Sequence, residues 1–320
     1  FNGSSGTVTL INGTVSGNIG GSDAGIFNGG SFALTNVTVS GNSSPNIAGG
    51  IYNGAGVMTL TNVTITNNRW DSDNNNVNDT GGGIFRSAGT VILRNTIVAG
   101  NVRGVASTPD DISGTVDPAS ASNLIGTGGA GGLTNAANNN QVNVASPLLS
   151  ALANNGGPTH THLALPGSPA INAGNNGLLP ADTFDLDGDS DTSEALSVDQ
   201  RSLGFSRIIN TIVDIGAVET NYTITPIAGS PQSAIVNTAF ATQLQALVQE
   251  SGVNLSGLAV TFTAPASGAS GSFSGSATVN TDASGIATAP VFTGNGTAGG
   301  YNVVASLAGG SPSANFSLAN

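Results

Sequence analysis

The stretch of this sequence best suited to chemistry is a dense run of carboxylates. The segment Asp185–Glu194 reads DLDGDSDTSE, and residues 182–199 hold seven of the 18 acidic residues. Carboxylates this close repel one another unless a cation neutralises them, and oxygen ligands at alternate positions around a glycine suit a hard cation such as Ca²⁺. The string therefore predicts a Ca²⁺ site. Its expected ligands are Asp185, Asp187, Asp189, Asp191 and Glu194.

The string resembles the Asp-x-Asp-Gly-Asp calcium loops of extracellular proteins, but it does not fit the EF-hand register. With either Asp185 or Asp187 in the first position, glycine does not fall sixth and glutamate does not fall twelfth. A solvated acidic loop without a cation is the alternative interpretation.

Three other side chains are candidate ligand contacts. His160 and His162 are the two histidines of the chain, and on a strand they would share a face. Because the sequence offers no third His or Cys, a structural role is favoured over a metal pair. Trp70 is the single tryptophan and lies in the polar segment Arg69–Thr80. It is a candidate contact for a carbohydrate or a protein partner, and packing of this segment onto its neighbours is the alternative.

Glycan cleavage is the enzymatic alternative, because many right-handed β-helices cleave acidic polysaccharides. Such cleavage needs paired carboxylates at a fixed separation or clustered acids beside a cation or a base. The repeated strands almost lack acids, lysine is absent, and Arg86 and Arg94 lie on different strands of one repeat. Besides the acidic string, only Asp110, Asp111 and Asp117 could supply the pair. We therefore expect no enzymatic activity.

Composition restricts the class of partner and the compartment. The 320 residues carry six Arg, no Lys and 18 acids, for a net charge of −12, which argues against nucleic acid as a partner. Only 8% of residues are charged and none is cysteine. This balance is common in secreted β proteins and predicts an extracellular location. There is no apolar run near 18 residues, so membrane insertion is not expected within this segment.

The candidate residues depend for their positions on a repeat. Gly49–Asn68 reads GGIYNGAGVMTLTNVTITNN, and near-copies occur at Phe1–Asn18, Gly25–Asn42 and Gly82–Asn101. The copies are spaced by about 24, 26 and 33 residues, near the range of solenoid repeats. Apolar residues alternate in short runs that end at Gly or Asn, which predicts three strands per repeat with turns between them. The fold class predicted is all-β: a right-handed parallel β-helix.

Stacking of such coils places equivalent residues above one another about 4.8 Å apart. Two ladders are expected from the alignment. The interior apolar ladder is Leu10, Leu34, Leu60 and Leu93. The hydrogen-bonded structural ladder at one corner is Asn12, Asn36, Asn62 and Asn95.

The pattern changes after residue 220 to longer alternating runs. About seven strands over roughly 100 residues, with turn signals between them, predict an Ig-like β-sandwich. The expected domains are therefore a β-helix with an irregular C-terminal closing region at residues 1–220, and a sandwich at residues 221–320. The acidic string would lie in the loop that closes the C-terminal side of the helix.

Several motifs resemble known families. The sequences PGSPAINAG at residues 166–174, DQR at residues 199–201 and DIGAVE at residues 214–219 resemble the end of the choice-of-anchor Q type β-helix domain of bacterial surface proteins. The family continues DQR with Gly, whereas this chain has Ser202. GLAVTFTAP, TDASGIATA and ANFSLAN, all after residue 256, resemble the bacterial Ig-like domains of invasin-type adhesins.

These resemblances imply a structural or adhesive protein of the bacterial cell surface. Phe1 begins in the middle of a repeat, and the open strand edge expected there predicts head-to-tail self-association into a filament, or a preceding domain that covers it. Binding or cleavage of a surface or matrix polysaccharide is the alternative function.

Overall fold

A computed structural model describes residues 1–21, 25–71, 73 and 81–320. These residues form an all-β protein that contains no α-helix and only three short 3₁₀ segments. The chain divides into two compact units, Phe1–Glu219 and Thr220–Asn320. Part of the segment Arg69–Thr80, namely residues 72 and 74–80, lies outside the described residues.

The strands of the first unit are short apart from three that span ten residues each. They are β1 (Thr7–Ser16), β2 (Ile26–Asn28), β3 (Ser31–Ser40), β4 (Ile51–Asn53), β5 (Val57–Thr66), β6 (Arg69–Trp70), β7 (Ile84–Arg86), β8 (Thr90–Arg94), β9 (Ile97–Val98), β10 (Val102–Arg103), β11 (Thr108–Pro109), β12 (Ile112–Ser113) and β13 (Leu124–Ile125). The 3₁₀ segments here are Ala137–Asn139 and Asn176–Leu178.

Parallel pairing in constant register builds the first unit. One sheet runs β1-β3-β5-β9-β13, with β8 also beside β5, and a second runs β12-β7-β4-β2; every pair in both is parallel. In the third sheet, β11-β10-β6, the β10–β11 pair is antiparallel. The expected stacking of the four leucines is confirmed, because the register aligns Leu10, Leu34, Leu60 and Leu93.

Each ten-residue strand bends at an asparagine. Asn36 has φ 52° and Asn62 has φ 54°, a left-handed conformation that asparagine adopts more readily than most residues. The bend resets the alternation of side chains, so that Leu34 and Val37 both face the core although they are three positions apart. Two of the three strands expected per repeat are therefore a single bent strand.

The apolar core of the first unit runs through the stack. Its buried members come from equivalent positions of successive strands, so like residues pack on like. They include Phe32, Leu34, Val37, Val39, Met58, Leu60, Val63, Ile65, Val91, Leu93, Val98, Ile112 and Ile125.

Parallel stacking continues past the fourth repeat. Strand β12 pairs with β7 and strand β13 with β9, both in parallel. Ile112 and Ile125 thereby extend the same core.

The side of the β1-β3-β5-β9 sheet that faces away from the core is covered by residues 144–219, here called the covering segment. On the earlier repeats the contact is polar. Thr38 Oγ1 donates to Gln200 Oε1 (2.6 Å), and Thr64 Oγ1 accepts from Ala217 N (3.0 Å). Both threonines are buried as a result.

On the later repeats the same contact is apolar. Ile97 of β9 and Leu124 of β13 pack against Ala164, Ala170 and Ile215 in a second buried cluster. Polar side chains thus meet polar ones at one end of the sheet and apolar meet apolar at the other. This complementarity fixes where the covering segment lies along the sheet.

The acidic string was expected to lie in a loop that closes the C-terminal side of the stack, but this loop lies beside strands β1 and β3. The covering segment extends along the side of the stack as far as the first strand, where Asn12 Nδ2 donates to Ser202 Oγ (3.1 Å) and Thr14 Oγ1 donates to His160 O (2.6 Å). The outward threonines and serines of the strands need hydrogen-bond partners once they are buried, and the covering segment supplies them.

The DQR and DIGAVE motifs meet inside the covering segment. The buried Arg201 guanidinium donates to Asp199 Oδ2 (2.8 Å) and to Glu219 O (2.6 Å), and it lies 4.0 Å from the centre of the Phe205 ring. A charge-assisted pair of this kind is geometrically specific. The Arg201 side chain thus joins residue 219, at the end of the covering segment, to residue 199 within it.

The second unit is built almost entirely from antiparallel pairs. Its strands are β14 (Tyr222–Ala228), β15 (Gln232–Ser233), β16 (Gln245–Glu250), β17 (Val253–Asn254), β18 (Ala259–Thr263), β19 (Gly271–Phe273), β20 (Thr278–Asn280), β21 (Ile286–Thr288), β22 (Phe292–Gly294), β23 (Gly300–Ser306) and β24 (Ser313–Ala319), with a 3₁₀ segment at Ala308–Gly310.

Three sheets form this unit. One has the order β14-β16-β17, with β21 also beside β16; the others are β15-β24-β23-β18-β20 and β19-β22. Only the β15–β24 pair is parallel. The unit has its own core, which includes Leu244, Val248, Val260, Phe262, Phe292, Val303 and Phe316.

Candidate metal centre

The acidic loop begins and ends at a short antiparallel contact. Ala181 and Ala195 form a β-bridge, and Asp182 N donates to Glu194 O (2.9 Å). Residues opposite each other in an antiparallel pair project their side chains to the same face. Asp182 and Glu194 are therefore neighbours at the neck of the loop although twelve positions separate them in the sequence.

An inner acidic group forms at this neck. Asp182, Asp187 and Glu194 each place a carboxylate oxygen within 4.8 Å of the other two. Asp182 is 1% exposed. Its Oδ1 and both carboxylate oxygens of Glu194 are shielded from solvent and have no hydrogen-bond partner. Buried carboxylate oxygens without donors are costly, so this group is the strongest candidate for a ligand site.

An outer acidic group shares one residue with the inner one. Asp185, Asp187 and Asp189 also bring carboxylate oxygens within 4.8 Å of one another. Their carboxylates accept hydrogen bonds from the loop backbone: Asp185 Oδ1 from Ser190 N (3.1 Å) and Asp189 Oδ1 from Asp191 N (2.7 Å). This group is more exposed, and donors already satisfy part of it.

Asp191 belongs to neither group. Its Oδ1 accepts from Ser193 Oγ (2.7 Å) and Ser193 N (2.9 Å), and these two bonds lower the pKa of Asp191. The pKa of Glu194 moves upward: its own backbone N–H lowers it, but desolvation and the charges of Asp191 and Asp189 outweigh that bond. The crowding of negative charge is therefore greatest at the neck.

The predicted ligand set is corrected in two places. Of the five expected residues, the structure brings Asp187 into both groups, Glu194 into the inner one, and Asp185 and Asp189 into the outer one, and it leaves Asp191 out. Asp182 was missed. No local pattern predicts it, because Asp182 meets Glu194 only through the β-bridge between Ala181 and Ala195.

The carboxylates considered for catalysis serve the backbone of the stack. Asp110 Oδ2 accepts from Gly81 N (3.0 Å) and Gly82 N (3.2 Å), and Asp111 Oδ1 accepts from Asn101 N (2.9 Å). Burial raises the pKa of Asp110 and of Asp111 against these hydrogen bonds. Their oxygens are occupied as acceptors, which is a structural use.

The two histidines do not share a face, because they do not lie in a regular strand. His160 is exposed and His162 is buried. Desolvation lowers the pKa of His162, partly against its bond to Ser150. In the neutral ring Nδ1 donates to Ser150 O (2.7 Å) and Nε2 accepts from Ser40 Oγ (2.8 Å). His162 therefore joins the covering segment to β3.

Trp70 was expected to contact a ligand, and its position does not allow this. The side chain is 5% exposed, and its Nε1 donates to Asn46 O (2.8 Å). Trp70 lies in strand β6, where Arg69 and Trp70 pair in parallel with β10. The ring is part of the interior, so its faces are closed to a sugar.

Asparagine side chains form three hydrogen-bonded rows along the stack. In each row an Nδ2 group donates to the Oδ1 atom of an equivalent asparagine in a neighbouring repeat. The first row is Asn12, Asn36, Asn62 and Asn95, with distances of 3.1, 3.2 and 3.3 Å. The second is Asn18, Asn42, Asn68 and Asn101, at 2.8, 2.8 and 2.9 Å, and Asn101 in turn donates to Asp111. The third is Asn2, Asn28 and Asn53, at 2.8 and 2.8 Å.

The third asparagine row was missed by the sequence analysis. Its signal was the asparagine two residues after the isoleucine of each Gly-Ile repeat, in IFN at residues 26–28 and IYN at residues 51–53. In the fourth repeat Arg86 aligns with Asn53 and ends the row.

Comparisons with family models, with curated proteins and with solved structures found no match to this chain. In the described part of the chain no helix is long and apolar enough to cross a membrane.

Proposed function

We propose that the protein is an extracellular structural or adhesive protein of the bacterial surface, and that it is a subunit of an end-to-end filament. In this proposal the first unit is a right-handed parallel β-helix and the second an Ig-like β-sandwich. Constant parallel register over successive repeats supports the former, and antiparallel sheets around one apolar core support the latter. Both architectures occur as rigid arms, so a mechanical role suits them.

The use of the acidic residues supports a structural role over glycan cleavage. Among the described residues of the repeated strands β1 to β9, none is Asp or Glu. Asp110 and Asp111, which lie between β11 and β12, accept hydrogen bonds from backbone N–H groups. Without a free carboxylate pair on a strand face, a glycosidase mechanism lacks its acid and its nucleophile or base.

The observation that carries the proposal is the constant parallel register of the first unit, in which equivalent side chains of successive repeats lie above one another. A stack built from repeats that contact only their neighbours extends in one dimension, which suits an end-to-end filament.

A row of aromatic rings runs along the stack. Phe1, Phe27, Tyr52 and Phe85 follow one another with centroids 4.6, 5.3 and 5.3 Å apart. The row adds side-chain contacts between successive repeats and so supports a rigid stack.

The partner surface in this proposal is the second unit of another copy. From Tyr222 to Asn320 its charged residues are Glu250 and Asp282, with no cation. Little electrostatic repulsion therefore opposes contact between this surface and the first unit of another copy. A head-to-tail contact of this kind propagates into a filament when its rotation does not close a ring.

Electron microscopy and light scattering of the purified chain over a range of concentrations test the proposal. We expect fibres, and we expect Ile19→Lys to reduce assembly, because Ile19 is 86% exposed and follows β1. The matched control is Val105→Lys, a 64% exposed apolar residue between β10 and β11. Monomers at every concentration, or equal effects of the two variants, would refute end-to-end assembly.

A further inference from the structure

The inner acidic group places two carboxylates opposite each other without any donor between them. Asp182 and Glu194 face one another across the neck of the loop, and like charges directly opposite in an antiparallel pair destabilise it. Asp182 Oδ1 and both oxygens of Glu194 are shielded from solvent and unpartnered. Water cannot relieve this repulsion, so a cation or a proton must.

The loop supplies no cation of its own. Residues 182–194 contain six carboxylates and neither Lys nor Arg. Of the two arginines farther along the covering segment, Arg201 is paired with Asp199, and Arg207 donates to Asp214 O and Gly216 O. The counter-charge must therefore come from solution.

The spacing of the oxygens fits one bound ion. A Ca²⁺ ion binds oxygens at about 2.3–2.6 Å, so ligand atoms on opposite sides of it lie no more than about 5 Å apart. The three carboxylates of the inner acidic group meet this limit, since each places an oxygen within 4.8 Å of the others. The ligand set holds only carboxylate oxygens, which favours Ca²⁺ over a metal that prefers nitrogen or sulfur.

We propose that Asp182, Asp187 and Glu194 bind one Ca²⁺ ion and that this ion holds the acidic loop in place on the first strands of the stack. The proposal differs from a site built on the DxDGDxD string, because Asp182 is a ligand and Asp191 is not. Asp185 and Asp189 surround the same Asp187 and add negative potential to the site.

The position of the loop gives the ion a structural consequence. A cavity of about 190 Å³ separates the loop from strands β1 and β3. Ile11 and Ala33 line it on the strand side, and Asp182, Leu186 and Leu196 line it on the loop side. An ion that joins the two ends of the loop therefore also fixes the apolar wall that covers these strands.

Calorimetric titration of the EDTA-treated, dialysed full chain with CaCl₂ tests the site. We expect one saturable event in the parent protein, and at least a tenfold weaker affinity in both Asp182→Asn and Glu194→Gln. The matched control is Asp191→Asn, which removes a carboxylate of the same loop that lies outside both groups. Because the charge of Asp191 acts on Glu194, the affinity should fall, but by less than in either inner variant.

Thermal unfolding separates a ligand from a merely structural residue. In EDTA, Asp182→Asn should unfold at the same temperature as the parent or higher, because the substitution removes repulsion at the neck. In Ca²⁺ the parent should gain stability and Asp182→Asn should not. If Asp182→Asn does not fold, Glu194→Gln provides the same comparison.

Two results would overturn the inference: no Ca²⁺ binding by the parent chain, or an affinity loss in Asp191→Asn equal to that in the two inner variants. Neither result depends on whether the protein forms filaments, so the two proposals fail separately.

Discussion

The asparagines at the bend of each long strand combine two properties that other residues do not offer together. Asn62 adopts φ 54° and is completely buried. Its Nδ2 donates to Asn36 Oδ1, and its Oδ1 accepts from Asn95. Alanine would lose both hydrogen bonds and be strained in this conformation, whereas glycine would lose only the bonds.

Substitution of Asn62 separates these two contributions. We expect Asn62→Ala to lower the free energy of unfolding by about 3 kcal/mol, since the left-handed conformation and the unpaired neighbours each cost about 1–2 kcal/mol. Asn62→Gly should recover about 1 kcal/mol of this loss. Urea denaturation measures both values.

The matched control for Asn62 is Asn67, which has φ 59° but is exposed. Asn67→Ala should lose only the conformational part, about 1 kcal/mol. If Asn62→Ala were no more costly than Asn67→Ala, the asparagine row would contribute nothing to stability.

Among the elements, the covering segment buries the face of the β1-β3-β5-β9 sheet that points away from the core. Gln200 occupies the centre of its polar contact: Oε1 accepts from Thr38 Oγ1 (2.6 Å), and Nε2 donates to Thr14 Oγ1 (2.8 Å) and Thr159 Oγ1 (3.0 Å). Thr38 and Gln200 are both completely buried. Each side chain therefore provides the hydrogen bond that water would otherwise make with the other.

A double-mutant cycle on this pair tests how the segment is held. Thr38→Val removes the donor but leaves Gln200 Oε1 buried and unpaired, which should cost about 1–3 kcal/mol in the free energy of unfolding. Thr38→Val combined with Gln200→Leu should cost less than the sum of the single changes, because no unpaired oxygen remains at this contact. Strict additivity would mean that the two side chains act independently.

For the molecule as a whole, the buried charges of the covering segment predict how stability depends on pH. Burial, with the charge of Asp214, raises the pKa of Glu219 to about 8, although Arg207 and two backbone N–H groups oppose the shift. In the unfolded chain this group titrates near its ordinary value of 4.5. Between these values the folded state binds a proton that the unfolded state does not.

Stability from Glu219 is therefore complete below pH of about 4.5 and is lost as pH rises through about 8. The pKa of His162 is lowered on folding, so its effect on stability has the opposite sign. Its stabilising contribution is present above the ordinary pKa of histidine and is lost as the pH falls through the pKa of the folded state. At pH 6.5 His162 is still about half protonated in the unfolded chain. Loss of that charge adds less than about 0.5 kcal/mol of stability between pH 6.5 and 8, so the effect of Glu219 is the larger of the two.

Unfolding measured in EDTA from pH 6.5 to 8 isolates this effect. We expect the free energy of unfolding to fall by an amount on the order of 2 kcal/mol over this interval. The measurement uses the fluorescence of Trp70, the single tryptophan, which is buried in the first unit and reports on it. Glu219→Gln should flatten the dependence, since glutamine does not titrate. A parent curve that rises across the interval would contradict the assigned pKa direction.

Local patterns in the sequence predicted several features of this protein. The repeat of Gly-Ile runs and asparagines predicted parallel strands in register, because identical coils stack with like side chains together. It located the interior leucines and the asparagine row at the bend. It also identified the acidic string as the site of crowded negative charge, since charge density is a property of composition.

What covers each face, and which acids meet, depends on contacts between segments that are far apart in the sequence. Alternation shows that Thr38 points away from the core, but its partner Gln200 lies 162 residues later in the chain. Trp70 is buried beneath Asn46, a contact that no local pattern encodes. Asp182 meets Glu194 because a β-bridge closes the loop. In each case the physical reason is the same: burial and charge compensation depend on segments brought together by folding, and side-chain periodicity reports only the direction in which a residue points.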